Sequence, residues 1–204
     1  MLVQVVRALL AAQADPNLRG KDQETPLTLA TQAEHTGTVQ ALLDAKADVN
    51  ARRSDGATAL FLASQLGNEQ IARLLLASKA NPNTAFGNGA TPLMQAAQDG
   101  RRSILKALLA SGADANSRGN KRVTALMLAS LGGHTELVRD LIAARADVAA
   151  ALDDGRTALS LAQAGGHRAT ADVLRLAGAG AKEQGSPAVA APGKNQRALK
   201  AGEE

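Results

Sequence analysis

Apolar residues in this chain fall into short clusters that recur every 33 residues. Leu27, Leu60, Leu93, Leu126 and Leu159 mark the step, each two places after Thr25, Thr58, Thr91, Thr124 or Thr157 and three before Ala30, Ala63, Ala96, Ala129 or Ala162. A fixed period of this length is the signature of a repeat array, in which each unit buries its apolar face only against its neighbours. Pro26 and Pro92 follow their threonines, at the first-turn position where a missing N–H costs nothing and φ is already helical, so a short helix starts there. Gly67, Gly100, Gly133 and Gly166, with Glu34 the exception, stand nine places after the threonines and end that helix, because a left-handed residue closes a helix cheaply.

A second helix follows in each unit. In the fourth it runs from about His134 to Ala144, with Leu137, Val138, Leu141 and Ile142 on one face. The equivalent apolar pairs are Leu42-Leu43, Leu75-Leu76, Leu108-Leu109 and Leu141-Ile142, and the last unit has Leu174-Arg175. Both helices are too short to be stable alone, so they must stack. Between units lie Ala47-Asp48-Val49-Asn50 and its counterparts, followed by Asp55-Gly56, Asn88-Gly89 or Asp154-Gly155. Such Asx-rich and Asx-Gly segments are turn signals and predict finger-like loops.

Glu24-Thr25-Pro26-Leu27, Ala90-Thr91-Pro92-Leu93, Gly132-Gly133-His134 and Ala47-Asp48-Val49-Asn50 resemble the ankyrin repeat in order and spacing. The resemblance implies an all-α fold, a solenoid of stacked helix-turn-helix units joined by β-turn finger loops, and a protein-binding role. It covers an ankyrin repeat domain over residues 1–180, with a half repeat at 1–17, repeats at about 18–50, 51–83, 84–116, 117–149 and 150–180, and a disordered tail at 181–204. Two departures stand out. The family's histidine after Thr-Pro-Leu is Thr28, Phe61, Met94, Met127 and Ser160 here, so the usual hydrogen-bond network is in doubt. The family's glycine before Ala-Asp is Lys46, Lys79 and Arg145 in three units, where a left-handed backbone would carry strain.

The two ends differ. Val5-Val6, Leu9-Leu10 and Ala14-Asp15-Pro16-Asn17 fit the second half of a unit, and the reading favoured over a cap is a fragment of a longer array. The last unit has Thr170 and Arg175 where the three middle units are apolar, as a terminal capping repeat needs.

Composition changes the picture little. The chain has no cysteine, only two aromatic residues (Phe61 and Phe86), and a net charge of +4 from 23 basic and 19 acidic residues. Its core is therefore built of Ala, Leu, Ile and Val, disulfides and thiolate metal sites are excluded, and no apolar stretch approaches the roughly 20 residues of a membrane span. A cysteine-free chain suits either redox compartment. The expectation is cytoplasmic, with export by an upstream signal as the alternative.

His35, His134 and His167 share one slot, ten places after their threonines, and repeats about 10 Å apart cannot put them on one ion that needs ligands at about 2 Å. No metal site, cofactor, catalytic group or small-molecule substrate is expected. Asp55, Asp153 and Asp154 are turn residues, and the glycine groupings lack the lysine and strand of a phosphate loop.

The resemblance to the ankyrin family places partner contacts on the finger tips and the exposed face of the first helix. Arg19, Arg52 and Arg118 occupy one finger slot, with Arg53 and Lys121 nearby, and Gln65 and Gln98 occupy one first-helix slot beside Gln32. Phe86 lies at a finger tip, where it is either an interface anchor or packed on a neighbouring finger. Two readings of the basic column stay open, a solvated edge and a binding stripe. The favoured function is a non-catalytic module holding a partner protein with an acidic and apolar surface. Charge reversal of Arg52 and Arg118 is then expected to weaken capture without altering thermal stability. The alternatives are nucleic-acid binding by the basic stripe, disfavoured by the lack of aromatic stacking residues, and an accessory segment of a longer polypeptide.

Overall fold

A computed structural model describes residues 2–178 as an all-helical solenoid. The tail predicted over 181–204 lies outside the described residues. Inner helices α2 (Pro26–Gln32), α4 (Ala59–Leu66), α6 (Pro92–Gln98), α8 (Ala125–Leu131) and α10 (Ala158–Ala164) form one row. Outer helices α1 (Leu2–Ala11), α3 (Thr36–Asp44), α5 (Glu69–Ala77), α7 (Arg102–Ala110), α9 (Thr135–Ala143) and α11 (Arg168–Leu176) form the other. From α2 onward each helix packs on its partner in the same unit and on the same helix of an adjacent unit, and α1 packs on α3.

The threonine ladder is a ladder of N-caps. Each hydroxyl accepts the backbone N–H three residues on, at 3.2–3.3 Å, in all five inner helices. In the first and last units the side chain at that third position bonds back: the Thr25 N–H donates to Thr28 Oγ1 at 2.8 Å and the Thr157 N–H to Ser160 Oγ at 2.9 Å, closing capping boxes. In the middle three units Phe61, Met94 and Met127 are buried instead, so apolar contact takes the place of the second polar bond. Leu27, Leu60, Leu93, Leu126 and Leu159 are at most 2% exposed. In each outer-helix pair the first leucine is buried, whereas the second runs from the edge of burial at Leu43 to exposure at Arg175.

The backbone keeps its repeat even where the sequence drops its glycines. Gln13, Lys46, Lys79 and Arg145 have φ of 65°, 63°, 69° and 62°, in the slot that Gly112 and Gly178 fill at 86° and 89°. Glu34 likewise adopts φ of 56° where other units have glycine. Local strain is tolerated because stacking fixes the chain path on both sides.

An ion-pair network lies on the outer surface. Arg102 donates to both oxygens of Asp140, Nε to Oδ2 at 2.7 Å and Nη2 to Oδ1 at 3.1 Å, and its Nη2 is 3.3 Å from Glu136. These hydrogen bonds hold the Asp140 carboxyl below its ordinary range, against an opposing push from desolvation, and Arg156 does the same to Asp154. Carboxyls depressed in the fold bind fewer protons than when unfolded. Their stabilisation is therefore complete above about pH 4 and lost as pH falls through the depressed folded values. Thermal melts from neutral pH down to about pH 2.5 should show Asp140→Asn losing less stability on acidification than wild type, and parallel curves would refute this assignment.

Candidate protein-binding surface

Each finger is a tight hairpin closed by its own backbone: Arg53 N–H to Ala57 carbonyl at 2.9 Å, Phe86 to Ala90 at 2.8 Å, Gly119 to Val123 at 2.9 Å and Leu152 to Arg156 at 2.9 Å. At most tips an Asx side chain accepts the N–H two residues on, as with Asp55 and Ala57 at 2.9 Å or Asn88 and Ala90 at 3.0 Å. Neighbouring fingers are tied by Ser54 N–H to Asp22 carbonyl at 2.9 Å, Gly87 to Asp55 at 3.2 Å and Asn120 to Asn88 at 3.3 Å. At the loop bases the side-chain Oδ1 atoms of Asn17, Asn50, Asn83 and Asn116 accept the backbone N–H groups of Asp48, Asn81, Asp114 and Asp147 at 2.7–2.8 Å. The surface is a rigid comb.

The basic column is partly woven into that comb. Arg19 Nη1 donates to the Arg52 carbonyl at 3.1 Å, and Arg52 Nη2 donates to the Ala85 carbonyl at 2.9 Å, each reaching the same slot one unit on. Arg53 donates to Gln32 Oε1 at 3.1 Å and pairs with Asp55 at 3.2 Å, while its Nε is buried without a partner among the described residues. Among the described residues Arg118 has only a long contact with Asp147, 3.9 Å. Lys121 is exposed at the fourth tip, in left-handed backbone at φ of 54°. Arg122, which the sequence reading passed over, follows it at φ of 63°, in the slot of Gly56, Gly89 and Gly155. Its signal was a missing turn glycine.

Phe86 is not a free anchor. Its ring stacks on Phe61 of the preceding unit's inner helix, with centroids 4.8 Å apart and planes 8° from parallel, over Ala57 and Leu62. The expectation of silent charge reversal at Arg52 also needs correction, because that guanidinium holds the next finger and an exposed hydrogen bond of this kind contributes of order 1 kcal/mol. Gln65 is exposed beside Leu66, which is 39% exposed, and Gln98 is half-buried. The eight residues named from the sequence thus divide: Arg19, Arg52, Arg53 and Phe86 are engaged with neighbouring parts of the chain, Gln98 is half-buried, and Gln65, Arg118 and Lys121 stand open.

The histidines also act between units. The Nε2 of His134 lies 3.2 Å from the Gln98 carbonyl and that of His167 lies 3.0 Å from the Leu131 carbonyl, and since a carbonyl only accepts, Nε2 carries the proton in both. Among the described residues no group of His, Asp and Glu is arranged to hold a metal ion, and no helix is long and apolar enough to cross a membrane.

A family model described as ankyrin repeats (3 copies) matches residues 2–86 and again 93–184, most of the chain. The chain belongs to the ankyrin repeat family. Ankyrin repeats are generally protein-protein interaction modules and typically non-catalytic, and the N-caps, fingers and inter-unit histidines described above are how this ankyrin chain builds the repeat fold. A search of the curated proteins gave no match.

Proposed function

We propose that this ankyrin domain is a non-catalytic scaffold that holds a partner protein on its fingers and the exposed side of its inner helices. The observation that carries the reading is the finger comb: guanidiniums pinned to the carbonyl of the next finger are presented in fixed positions, so little ordering entropy opposes binding. The charge pattern adds to this. Fingers one, two and four carry Arg19 and Lys21, Arg52 and Arg53, and Arg118, Lys121 and Arg122, whereas finger three, with Phe86, Gly87, Asn88 and Gly89, has no charge. Such a surface suits a partner with acidic groups flanking an apolar one. Nucleic-acid binding is disfavoured, because the two phenyl rings stack on each other and Arg53 is neutralised by Asp55.

The test places a photo-crosslinker at Gln65 on the inner-helix side and, separately, at Lys106 on the outer helices, and compares the proteins captured in the native host. A partner taken only from Gln65 supports the reading, and equal capture from Lys106 overturns it. Within the captured complex, Arg118→Glu with Lys121→Glu should weaken affinity by about tenfold or more while leaving the melting temperature unchanged. Arg52→Glu should lower both affinity and melting temperature.

A further inference from the structure

The tip of the fourth finger is built against its own turn chemistry. Three other fingers turn on an Asx-Gly pair, Asp55-Gly56, Asn88-Gly89 and Asp154-Gly155, and the fourth has Lys121 and Arg122 in those two places. Both adopt left-handed backbone, at φ of 54° and 63°, and they are the one pair of successive non-glycine residues to do so among the described residues. A side chain disfavours that conformation, and losing the Asx residue also removes the hydrogen bond that Asn88 accepts from Ala90 at 3.0 Å. The turn is held shut by Gly119 N–H to the Val123 carbonyl at 2.9 Å and by Asn120 N–H to the Asn88 carbonyl of the third finger at 3.3 Å. Strain of this kind persists where the surrounding structure over-determines it, and it collects at functional sites.

What the strained tip presents is charge. Arg118, Lys121 and Arg122 are all exposed, and residues 118–123 contain no acid. Elsewhere the finger arginines are spent: Arg19 and Arg52 donate to the next finger, Arg53 pairs with Asp55 and Arg156 with Asp154. Unit four also brings aliphatic surface to the same place. Val123 ends the finger and leads through the Thr124 cap into α8, where Leu128 and Leu131 stand three residues apart and share a helix face. All three are half-buried. The place of Leu131 is taken by glutamine in the first three units, and the counterparts of Leu128 in units two and five, Leu62 and Leu161, are buried. Units three and five pack on either side of unit four, so this openness is a property of its own side chains.

We infer that unit four is the recognition centre of the partner-binding surface and takes an acidic, aliphatic segment of the partner protein, its carboxylates on Arg118, Lys121 and Arg122 and a leucine or isoleucine beside them on Val123, Leu128 and Leu131. The inference rests on the finger-side reading above and narrows it from the whole comb to one unit and one segment chemistry. Free guanidinium and ammonium donors take carboxylates directly, exposed ion pairs alone hold weakly, and burial of the adjoining aliphatic side chain supplies the rest and sets the register. A nucleic acid would share the cations, but the chain has no free aromatic ring for its bases, since Phe61 and Phe86 stack on each other.

The probe is a library of short random peptides displayed on phage and selected on the immobilised full chain, with the strongest binder synthesised and titrated by fluorescence anisotropy. Selected peptides should be enriched in Asp and Glu beside Leu or Ile. Leu131→Gln, the residue of the first three units, should weaken that peptide by several-fold, whereas Lys106→Glu on the outer helices should leave it unchanged. Lys121→Asn with Arg122→Gly, which restores the turn pair of the third finger, should weaken the peptide by about tenfold while raising the melting temperature, a trade that a merely structural tip would not show. No selected peptide, peptides without acidic residues, or binding that survives both unit-four variants overturns the inference. Peptides lost to Gln65→Glu but indifferent to the unit-four variants leave the finger-side scaffold standing and remove only this inference, whereas peptides lost to Lys106→Glu remove both. Single-stranded DNA that displaces the peptide at equal concentration in physiological salt would assign the cations to nucleic acid and overturn it too.

Discussion

Phe61→Ala should destabilise the domain by about 3 kcal/mol or more, read by denaturant or thermal unfolding of the full chain. Phe61 is 5% exposed and its ring is the floor on which Phe86 stacks, so the substitution removes buried area, leaves a cavity and strips the neighbouring finger of its contact. Phe86→Ala, at a half-buried ring, should cost about half as much or less. The double variant should cost less than the sum, because stacked aromatic pairs contribute about 0.5–1.5 kcal/mol beyond their area and that share can be lost only once. Strict additivity would mean that the rings touch without supporting each other. The same coupling governs how binding data at Phe86 are read: weakened capture by Phe86→Ala reports a loosened third finger as much as a lost contact.

Replacing Lys46, Lys79 and Arg145 together by glycine should stabilise the domain by about 2–3 kcal/mol. Each sits in left-handed backbone, at φ of 63°, 69° and 62°. An L-residue with a side chain pays about 1–2 kcal/mol for that conformation, while glycine returns some of the gain through its freer unfolded chain, about 0.5–1 kcal/mol. The reverse change at Gly112, φ of 86°, isolates the effect, since a Cβ there would meet nothing within 4 Å. Gly112→Lys should therefore cost about 1 kcal/mol by conformation alone. Unchanged stability in both the triple glycine variant and Gly112→Lys would show that the stacked units relax the strain away. The lysines and arginine are far from the fingers' tips in sequence, so partner capture should survive the triple change.

These two results bear on how much of the molecule is legible in its sequence. The unit length, the inner-helix starts and the buried leucines were all readable, because they rest on short-range physics: a threonine hydroxyl caps a helix three residues away, and apolar spacing follows the helical turn. The strain at Lys46, Lys79 and Arg145 was readable as a condition, and the structure meets it. For the candidate surface the sequence named residues and slots but not the state of each side chain. Arg118 and Lys121 stand open, whereas Arg52 reaches a carbonyl 33 residues on and Phe86 reaches a ring in the preceding unit. Nothing in local composition distinguishes the two arginines; the distinction arises from what the next finger presents.

The sequence by itself determined the repeat, its register and its core, since each follows from residues within one turn or one loop of each other. Only the tertiary structure decided which surface groups are free, which histidines bridge units, and that Leu29 is bare where Leu62 is covered. The physical reason is that stacking brings together side chains a full period apart, and the exposure of a repeated residue depends on whether a neighbouring unit packs against it.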